Sequence, residues 1–556
     1  MTRLSRLFPS VVPLAAIYLI GFFCSISAFA QEPPTGQIDG VETATSEESG
    51  LTLQDKFNAG QVEFNDWFTT NINDRLGPIL FFAVHDTPKV DENGDQLYDD
   101  EGEALTNDLP LIVVVLVLGG IFFTFRFGFI NVRMFKHSID VIRGKYDKAD
   151  DTGEISHFQA LTSALSATVG LGNIASVAIA ISLGGPGAVF WMWLTAFFGM
   201  SMKFSSCTLA HMYRRVDDDG RVMGGPMIYL EDGIKDVIPA LAPLGKIFSV
   251  FFAVLMVFAA FGAGNMFQTN QTASMITTTF FDGSDNIFLN LGIGVILAFF
   301  AGIVIIGGIK RIGELTSKLV PAMCVFYCTV CFIIIVMNIS QVGATFAEIF
   351  SNAFSPTAMF GGFIGVLVNG MKRAAFSNEA GLGSASIAHA AAKTEEPVRE
   401  GIVAMIGPFI DTIVVCTMTA LTILITKSHL DAGDLEGIEI TAKAFSQLGS
   451  VVPYFLCLAV FVFAYSTLIS WGYYAERCVE YLIGEIGILP FRIVYVLVII
   501  IAPLLSLSAI IDFADIMLLS LAFPNIIGSA IIAVKVKPLL DDYLRRLKSG
   551  EMQPEK

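Results

Sequence analysis

From residue 109 onward, the chain alternates long apolar runs with short polar stretches. A run of about 20 apolar residues is long enough to cross a bilayer as an α-helix. The pattern therefore predicts an all-α polytopic membrane protein with eleven spanning helices. The predicted spans lie near residues 110–130, 158–183, 187–213, 246–271, 288–308, 317–339, 359–390, 399–425, 451–474, 489–508 and 511–535.

Two of the predicted spans are interrupted by glycine and polar residues. The stretch 162–199 carries Gly-Leu-Gly-Asn at 170–173, and the stretch 369–384 repeats Gly-Leu-Gly at 381–383. In hydrocarbon, freed backbone groups are tolerated where they line a cavity, and transporters use such broken helices to bind ions and substrates. A kinked packing helix is the alternative, since small residues also mediate helix contact. Two breaks at corresponding places favour a transporter built from repeats.

The spans also divide into two similar sets. When the first span is set aside, the remaining ten form two groups of five. A repeat with an odd number of spans must insert in opposite orientations, so the halves are predicted to be inverted repeats. The first repeat covers about 158–339 and the second about 359–535, and each begins with a broken segment. The expected architecture is a 5+5 inverted repeat with one extra N-terminal helix.

The first 109 residues differ from the rest of the chain. Residues 1–30 have basic, apolar and Ala-x-Ala portions in the order of a signal peptide, which predicts cleavage before Gln31. An uncleaved anchor helix is the alternative. Residues 31–109 hold 18 acidic and three basic residues. We interpret them as a solvated acidic segment that lies outside the cytoplasm in either case.

Basic residues mark the orientation of the spans. Five of them follow the first span between 133 and 148, and five follow the last span between 535 and 548. Since lysine and arginine concentrate in cytoplasmic loops, the N-terminus is predicted to lie outside and the tail of residues 536–556 inside. The expected location is the cytoplasmic (inner) membrane of a bacterium.

The composition supports a membrane protein. A mean hydropathy of +0.66, with 54% hydrophobic and 15% charged residues, excludes an ordinary water-soluble globule. The formal charge is −17, but residues 31–109 contribute 3 − 18 = −15 of it. The acidity therefore gives no sign of a nucleic-acid partner. No obligate protein partner is evident, and the lipid bilayer is the predicted environment.

Two other functional classes are less consistent with the sequence. A membrane enzyme would need a motif such as HExxH or GxSxG, which the sequence lacks, and His211 and His389 stand alone. A channel filter usually repeats a short loop around an axis, which two inverted segments do not do. Cys324, Cys328 and Cys331 share one helix face without a histidine, which favours packing over metal binding.

Three blocks of sequence are similar to characteristic blocks of the alanine or glycine:cation symporter family. They are GGPGAVFWMWLTAFFG at 184–199, FSNEAGLGSASIAHAAAKTEEPVR at 376–399 and FIDTIVVCTMTALTIL at 409–424. The resemblance covers residues 110–535, and residues 31–109 have no counterpart in it. It implies the leucine-transporter fold and symport of alanine, glycine or a similar small amino acid. Sodium is the implied coupling ion, with no other cofactor.

One position departs from that family pattern. The family usually has Gly-Thr-Gly-Asn in the first broken helix, whereas this chain has Gly-Leu-Gly-Asn at 170–173. The departure leaves the sodium role intact and the exact substrate open.

The predicted substrate site centres on the first break. Backbone amides at Gly170 and Gly172 are expected to point into the cavity, where a helix N-terminus favours the substrate carboxylate. The resemblance implies a polar contact from Gln268 in the fourth span. The remaining members of the implied set are Asn378 of the second broken segment and two apolar walls, Phe376 and Trp471, which would otherwise be ordinary core residues.

The resemblance also implies two sodium sites. One ion would bind the carbonyl groups of Ser166 and Val169 and the hydroxyl groups of Ser466 and Thr467. Ordinary hydrogen bonding between helices is the alternative role for these two hydroxyls.

The second implied ion would bind the Thr168 carbonyl and the Asn173 amide oxygen, together with Asp411 or Thr412. Asp411 lies deep in an apolar span, where a carboxylate is costly and therefore a functional candidate. A structural role is the alternative, in which Lys372 and Arg373 neutralise Asp411 or Glu379.

Overall fold

The computed structural model describes residues 53–88, 96, 98, 106–148, 151–218, 220–281, 283–284, 286–305, 308–354, 362–430, 433 and 435–554. The predicted signal peptide, residues 1–30, lies outside the described residues. The chain divides into two units, Met1–Trp67 and Phe68–Lys556. In the first unit, the structure describes most of helix α1, in which the rings of Phe64 and Trp67 stack.

The described elements are helices, apart from two short hairpins. The first part comprises α1 Leu53–Phe68, α2 Asp74–Leu80, β1 Ala83–Pro88, β2 Thr106–Pro110, α3 Leu111–Arg126, α4 Ile130–Arg133, α5 Phe135–Ile142, α6 His157–Thr168, α7 Ala175–Gly184, α8 Ala188–Met212, β3 Arg215–Val216, β4 Val222–Met223, α9 Pro226–Val237, α10 Ala242–Phe261, α11 Phe267–Phe280, α12 Ile287–Ile305 and α13 Gly308–Met337.

The second part of the chain adds eleven helices among the described residues. They are α14 Ile339–Ala353, α15 Gly362–Asn378, α16 Ser386–His389, α17 Pro397–Ala404, α18 Ile406–Pro408, α19 Thr417–Thr426, α20 Ile438–Ser446, α21 Val452–Ile483, α22 Ile488–Ile501, α23 Leu507–Ser520 and α24 Ala522–Ser549. π-Helical turns at Gly262–Met266 and Phe409–Cys416 join α10 to α11 and α18 to α19.

The helices form a multi-pass membrane protein. Within the described residues, seven helical stretches are long and apolar enough to cross a membrane, and the bent pair α6–α7 raises the number to eight. α3 is a shorter apolar helix. The count of eleven spans and the 5+5 repeat remain predictions. The seven stretches are Pro239–Phe280, Ile287–Ile305, Ile309–Met337, Pro397–Thr426, Val452–Ile483, Glu485–Leu504 and Leu507–Ser549.

The first broken helix is α6 and α7, which meet at an angle of 60°. α6 starts with a capping box, in which Ser156 and Gln159 satisfy each other's backbone amides. It ends at Thr168, and Gly170 then adopts an extended conformation before a single 3₁₀ turn and α7. A glycine-broken span is therefore what the sequence encodes here, rather than a smooth kink.

The second break follows α15. The chain leaves the helix after Asn378 and re-enters helical structure only at α16. Glu379, Gly381 and Gly383 in this interval have φ angles of 55°, 86° and 89°. The left-handed region is open to glycine and costly for other residues, so the two glycines allow the chain to turn inside the protein.

The described part of the second unit has two ends that matter for the site. At the hairpin end, β1 and β2 pair antiparallel and β2 packs on α15. At the tail end, which includes the last turns of α24, Ile155 and Ala392 form a parallel bridge just before α6 and after α16. α6 and α7 run between these ends, because α7 finishes where the Asn369 amide donates to the Leu183 carbonyl.

Candidate functional site

The two breaks meet in the interior of the second unit. A Cβ atom built on Gly172 would lie 3.4 Å from the Phe376 ring. The Asn173 side-chain amide donates to the Ser377 hydroxyl at 3.0 Å and to the Asp411 carboxylate at 2.7 Å. Asn173, Ser377 and Asp411 are all fully buried. The predicted proximity of the two broken segments is present in the structure.

Asp411 is the centre of a buried polar cluster. Besides Asn173, its carboxylate accepts hydrogen bonds from the hydroxyls of Ser377 and Thr412 at 2.6 and 2.7 Å. The Asn378 amide in turn donates to Thr412 Oγ1 at 2.9 Å. Asp411 and Thr412 lie in the π-helical turn Phe409–Cys416. Such turns widen the helix locally and are frequent at functional sites.

The Asn173 amide oxygen does not face Asp411, and its expected role as a sodium ligand stays a prediction. The side-chain nitrogen of Asn173 faces Asp411 instead, while Oδ1 accepts the Gly170 amide at 2.9 Å. The same Gly170 amide also donates to the Thr168 carbonyl at 3.0 Å. The break must satisfy its own freed amide, since a buried donor without an acceptor is costly. The two expected ligand oxygens therefore lie together at the Gly170 amide.

The other expected sodium residues also lie together. The Thr467 hydroxyl donates to the Ser166 carbonyl at 3.0 Å, and the Ser166 hydroxyl donates to the Ser466 carbonyl at 2.8 Å. The Ser466 hydroxyl, however, donates to Phe463 of its own helix. Val169 is fully buried at the end of α6. α21 thus contacts the last turn of α6 through the predicted side chains.

Two amides of the first break have partners within the protein, and the expected role of the Gly170 and Gly172 amides in substrate binding stays a prediction. The Leu171 amide donates to Gln268 Oε1 at 3.1 Å, and the Gly170 amide bonds within the break. Gln268 also donates to the Ala263 carbonyl at 3.0 Å in the neighbouring π-turn. Gln268 is therefore brought to the site as predicted, but its contact is with the backbone of the break. Buried amides require this satisfaction.

The two predicted aromatic walls lie against the breaks. Phe376 is buried beside Phe267, with ring centroids 5.0 Å apart. Trp471 is buried, and its indole nitrogen donates to the Ala167 carbonyl at 3.2 Å. The indole packs on Gly264 of the π-turn so closely that any side chain there would overlap it. Trp471 is thus both a wall and a partner for a carbonyl at the end of α6.

Lys372 and Arg373 do not neutralise Asp411 or Glu379. Arg373 forms a buried ion pair with Asp515 of α23, and its guanidinium lies 5.3 Å from the Phe376 ring centroid. Lys372 points to the hairpin end, with Nζ 4.7 Å from the centroid of the Phe81 ring. Lys372 and Arg373 were expected to share one role because they are adjacent in sequence. Adjacent residues in a helix such as α15 project in different directions, so they do not.

Three residues of this region were missed by the sequence analysis. Ser377 bonds Asp411, and Ser470 donates to the Ser166 hydroxyl at 3.0 Å. Lys203 of α8 is only 2% exposed and donates to the Asn378 carbonyl at 3.0 Å. Two signals were present: Ser470 lies one helical turn after Ser466, and a lysine inside an apolar helix marks a functional candidate.

A second buried polar cluster lies at the tail end. Both oxygens of the fully buried Glu400 are bonded, one to Nδ1 of His157 and the other to Nδ1 of His389. His389, which stands alone in the sequence, therefore links the end of α16 to the start of α6 through α17. This cluster ties both broken segments to one helix.

Comparison with known proteins identifies the family. The model of the sodium:alanine symporter family matches residues 96–556. The chain belongs to this family. A sodium/alanine symporter, AgcS of Methanococcus maripaludis, is 46% identical over 422 residues, which are 75% of this chain and 91% of the relative. The probable sodium/glutamine symporter GlnT of Bacillus subtilis is 36% identical over 454 residues, covering 80% and 91% of the two chains. As a member of a transporter family, the protein is not an enzyme.

A solved structure supports the fold. The crystal structure of MhsT in complex with L-phenylalanine has a TM-score of 0.51 and 15% sequence identity to this chain. The match covers 68% of this chain and 89% of the other. At this identity the likeness concerns the fold, which is of the leucine-transporter type that the sequence resemblance implies.

Proposed function

We propose that the chain is a secondary active transporter that carries alanine, glycine or a similar small amino acid into the cell with sodium. The observation that carries the proposal is the buried cluster where the two broken segments meet at Asp411. Asp411 accepts hydrogen bonds from three neutral side chains and, within the described residues, forms no ion pair. A buried carboxylate is expensive without a charged partner, and the nearby Lys203 donates to the Asn378 carbonyl instead. A sodium ion bound at the adjacent break supplies such a partner.

The arrangement also supports coupling between ion and solute. Asn173 holds the Gly170 amide with its oxygen and Asp411 with its nitrogen. Thr467 donates a hydrogen bond to the Ser166 carbonyl in the last turn of α6, the helix that ends at this break. An ion that binds these oxygens fixes the conformation of the break, and the solute then binds a site that is already ordered. By linkage, the solute raises the affinity for sodium by the same factor.

The proposed carrier uses a 5+5 inverted repeat preceded by α3. The breaks after α6 and α15 then begin the two repeats. We propose further that the hairpin end faces outward and the C-terminal tail inward, in the cytoplasmic membrane of a bacterium. Rocking of one repeat against the other around the breaks exposes the site to each side in turn.

The function is tested by uptake into proteoliposomes with and without a sodium gradient. The amino-acid panel contains alanine, glycine, glutamine and leucine. Sodium-dependent accumulation of alanine or glycine is the expected result. Equal uptake in potassium alone contradicts sodium coupling, and the absence of saturation favours a channel.

The sodium ligands are tested by two variants. Asn173→Ala and Thr467→Ala remove side-chain oxygens, so both are expected to raise the sodium concentration that gives half-maximal uptake. Each 1.4 kcal/mol of lost binding corresponds to about a tenfold rise. Asn352→Ala and Thr329→Ala are matched controls, because these side chains bond the preceding turn of their own helices. Unchanged sodium dependence in both test variants moves the ion sites elsewhere.

Glutamine is a second candidate substrate. It is supported by the 36% identity to the probable sodium/glutamine symporter GlnT. The same amino-acid panel decides between alanine and glutamine as substrate. For a glutamine carrier, the external concentration that gives half-maximal uptake is lower for glutamine than for alanine.

A further inference from the structure

A cavity of about 270 Å³ lies between the β1–β2 hairpin and α15. We call it the outer pocket. Its volume lies just below the range of about 300–1,000 Å³ that is usual for small-molecule sites, so it suits a ligand of few atoms. It is lined by Phe81, Thr106, Asp108, Pro110, Gly365, Val368, Asn369 and Lys372.

The outer pocket lies on the same face of α15 as Phe376, the predicted apolar wall of the site where the two breaks meet, which we call the central site. Gly365, Val368, Asn369 and Lys372 follow one another at helical spacings of three, one and three residues, which places them on a single face. Phe376 lies four residues further along this face and contacts the first break at Gly172. The pocket is thus about one helical turn, roughly 5.4 Å, from the wall of the central site.

The outer pocket contains two separate charges of opposite sign. Lys372 is half-buried, and its ammonium lies over the Phe81 ring. Among the described residues Lys372 forms no ion pair, whereas its neighbour Arg373 is paired with Asp515. The carboxylate of Asp108 is exposed on β2 and accepts the Thr106 hydroxyl at 2.6 Å. The two charges act on each other through space without a direct ion pair, and Asp512 and Asp515 also act on the Lys372 ammonium.

A free amino acid has charges that match this arrangement. Its carboxylate needs a cationic donor and its ammonium needs an anionic acceptor, and charge-assisted hydrogen bonds of this kind are the stronger ones. The half-buried Asn369 amide offers a further donor and acceptor. We propose that the outer pocket is a loading site for an amino-acid zwitterion, with the carboxylate at Lys372 and the ammonium at Asp108.

The inference rests on the proposed function, because the zwitterion is the cargo of that function. It adds a place where the cargo binds before it reaches Phe376 and the breaks. Since the pocket is lined by the hairpin region and the first part of α15, it serves entry from the hairpin end. Release at the tail end does not pass through it.

The first test compares transport in the two directions. Lys372→Gln is expected to raise the alanine concentration for half-maximal uptake from the hairpin side by about tenfold, as for the loss of one charge-assisted bond. Sodium dependence and release from the tail side should not change, and Lys372→Arg should restore most of the affinity. Lys318→Gln is the matched control, since it removes an exposed lysine from α13. An unchanged uptake affinity, or an equal loss from both sides, overturns the inference.

The second test detects binding without transport. The variant Thr106→Cys places a cysteine in the pocket lining. The variant Val84→Cys places one at an exposed position of β1 that is not among the lining residues. In sodium-free buffer, alanine should slow the reaction of a membrane-impermeant maleimide with the first cysteine and not with the second. Equal rates with and without saturating alanine contradict the loading site. Protection in a protein that shows no sodium-dependent uptake refutes the proposed function and leaves the loading site in place.

Discussion

At the scale of single residues, the site depends on glycines that leave room for polar side chains. Gly170 has an extended conformation, and its amide bonds Asn173 while its Cα faces Thr467 and Gln268. Gly264 leaves the space that the Trp471 indole fills. At both positions a neighbouring side chain occupies the space that a Cβ atom would need. Glycine is therefore required there by packing, and not only by its backbone flexibility.

Gly170→Ala is expected to abolish uptake. The added Cβ would overlap the Thr467 hydroxyl and lie 3.2 Å from Gln268 Oε1, so the break would have to move. Gly292→Ala is the matched control, since a Cβ there has no atom within 4 Å in α12. Uptake assays and thermal unfolding of both variants provide the measurement. Normal uptake by Gly170→Ala contradicts the close packing of α21 on the break.

Trp471→Leu is expected to weaken alanine uptake and to let leucine compete. The indole fills space beside the break, and its removal opens room that larger side chains need. Each added methylene in an apolar pocket changes discrimination by only about 1–3 kcal/mol, so a steric wall is the firmer means of exclusion. Competition assays with unlabelled leucine measure the change. If leucine stays excluded and alanine binds as before, Trp471 is a core residue only.

At the scale of elements, the breaks are anchored by the helices around them. The π-turns at Gly262–Met266 and Phe409–Cys416 supply the contacts of Gln268 and Asp411. At the tail end, the Arg214 guanidinium donates to the carbonyls of four residues from the segments that precede α6 and follow α16. They are Thr152, Ala390, Ala392 and Thr394. These four hydrogen bonds hold the segments next to the two broken helices together.

Arg214→Ala is expected to lower the free energy of unfolding. Four carbonyls lose their common donor, and each buried group left unsatisfied costs about 1–3 kcal/mol, less where water can reach it. Arg214→Lys should restore only part of the stability, because an ammonium cannot reproduce the four hydrogen bonds of the guanidinium. Arg311→Ala is the control, since that exposed arginine bonds one carbonyl. Thermal unfolding in detergent measures the midpoints, which should be lowest for Arg214→Ala, higher for Arg214→Lys and highest for Arg311→Ala. Equal midpoints for the three variants contradict the expectation.

At the scale of the whole molecule, three groups of buried charges in the second unit lie at different levels along its length. Arg373 and Asp515 pair between α15 and α23, Asp411 lies at the meeting of the breaks, and Glu400 lies between two histidines at the tail end. The first and last of these charges have partners in the protein. Asp411 and the buried Glu379 have neutral hydrogen-bond donors within the described residues, and the proposed sodium ion supplies Asp411 with a charged partner.

Sodium is therefore expected to stabilise the whole fold. A ligand that binds only the folded state adds about 2.7 kcal/mol when its concentration is 100 times its dissociation constant. The midpoint of thermal unfolding should rise in sodium chloride relative to choline chloride at equal ionic strength. Asn173→Ala should reduce the rise. Equal midpoints in the two salts would show that the ion does not bind the folded protein specifically.

The sequence by itself determined the class of the protein and the position of its breaks. Apolar length fixes which segments can enter a bilayer, and glycine with Asn173 inside such a segment fixes where helical bonding stops. Ser166, Thr467, Gln268, Phe376, Trp471 and Asp411 were also predicted near the breaks, and the structure brings them there, but through the resemblance and not through spacing alone.

Only the tertiary structure decided which groups face each other. Whether the oxygen or the nitrogen of Asn173 meets Asp411 depends on which group satisfies the Gly170 amide. Whether Lys372 or Arg373 points inward depends on the rotation of α15 against its neighbours, since adjacent residues differ by about 100° around a helix. Hydrogen-bond satisfaction in a buried site involves several helices distant in sequence, so no local pattern encodes it.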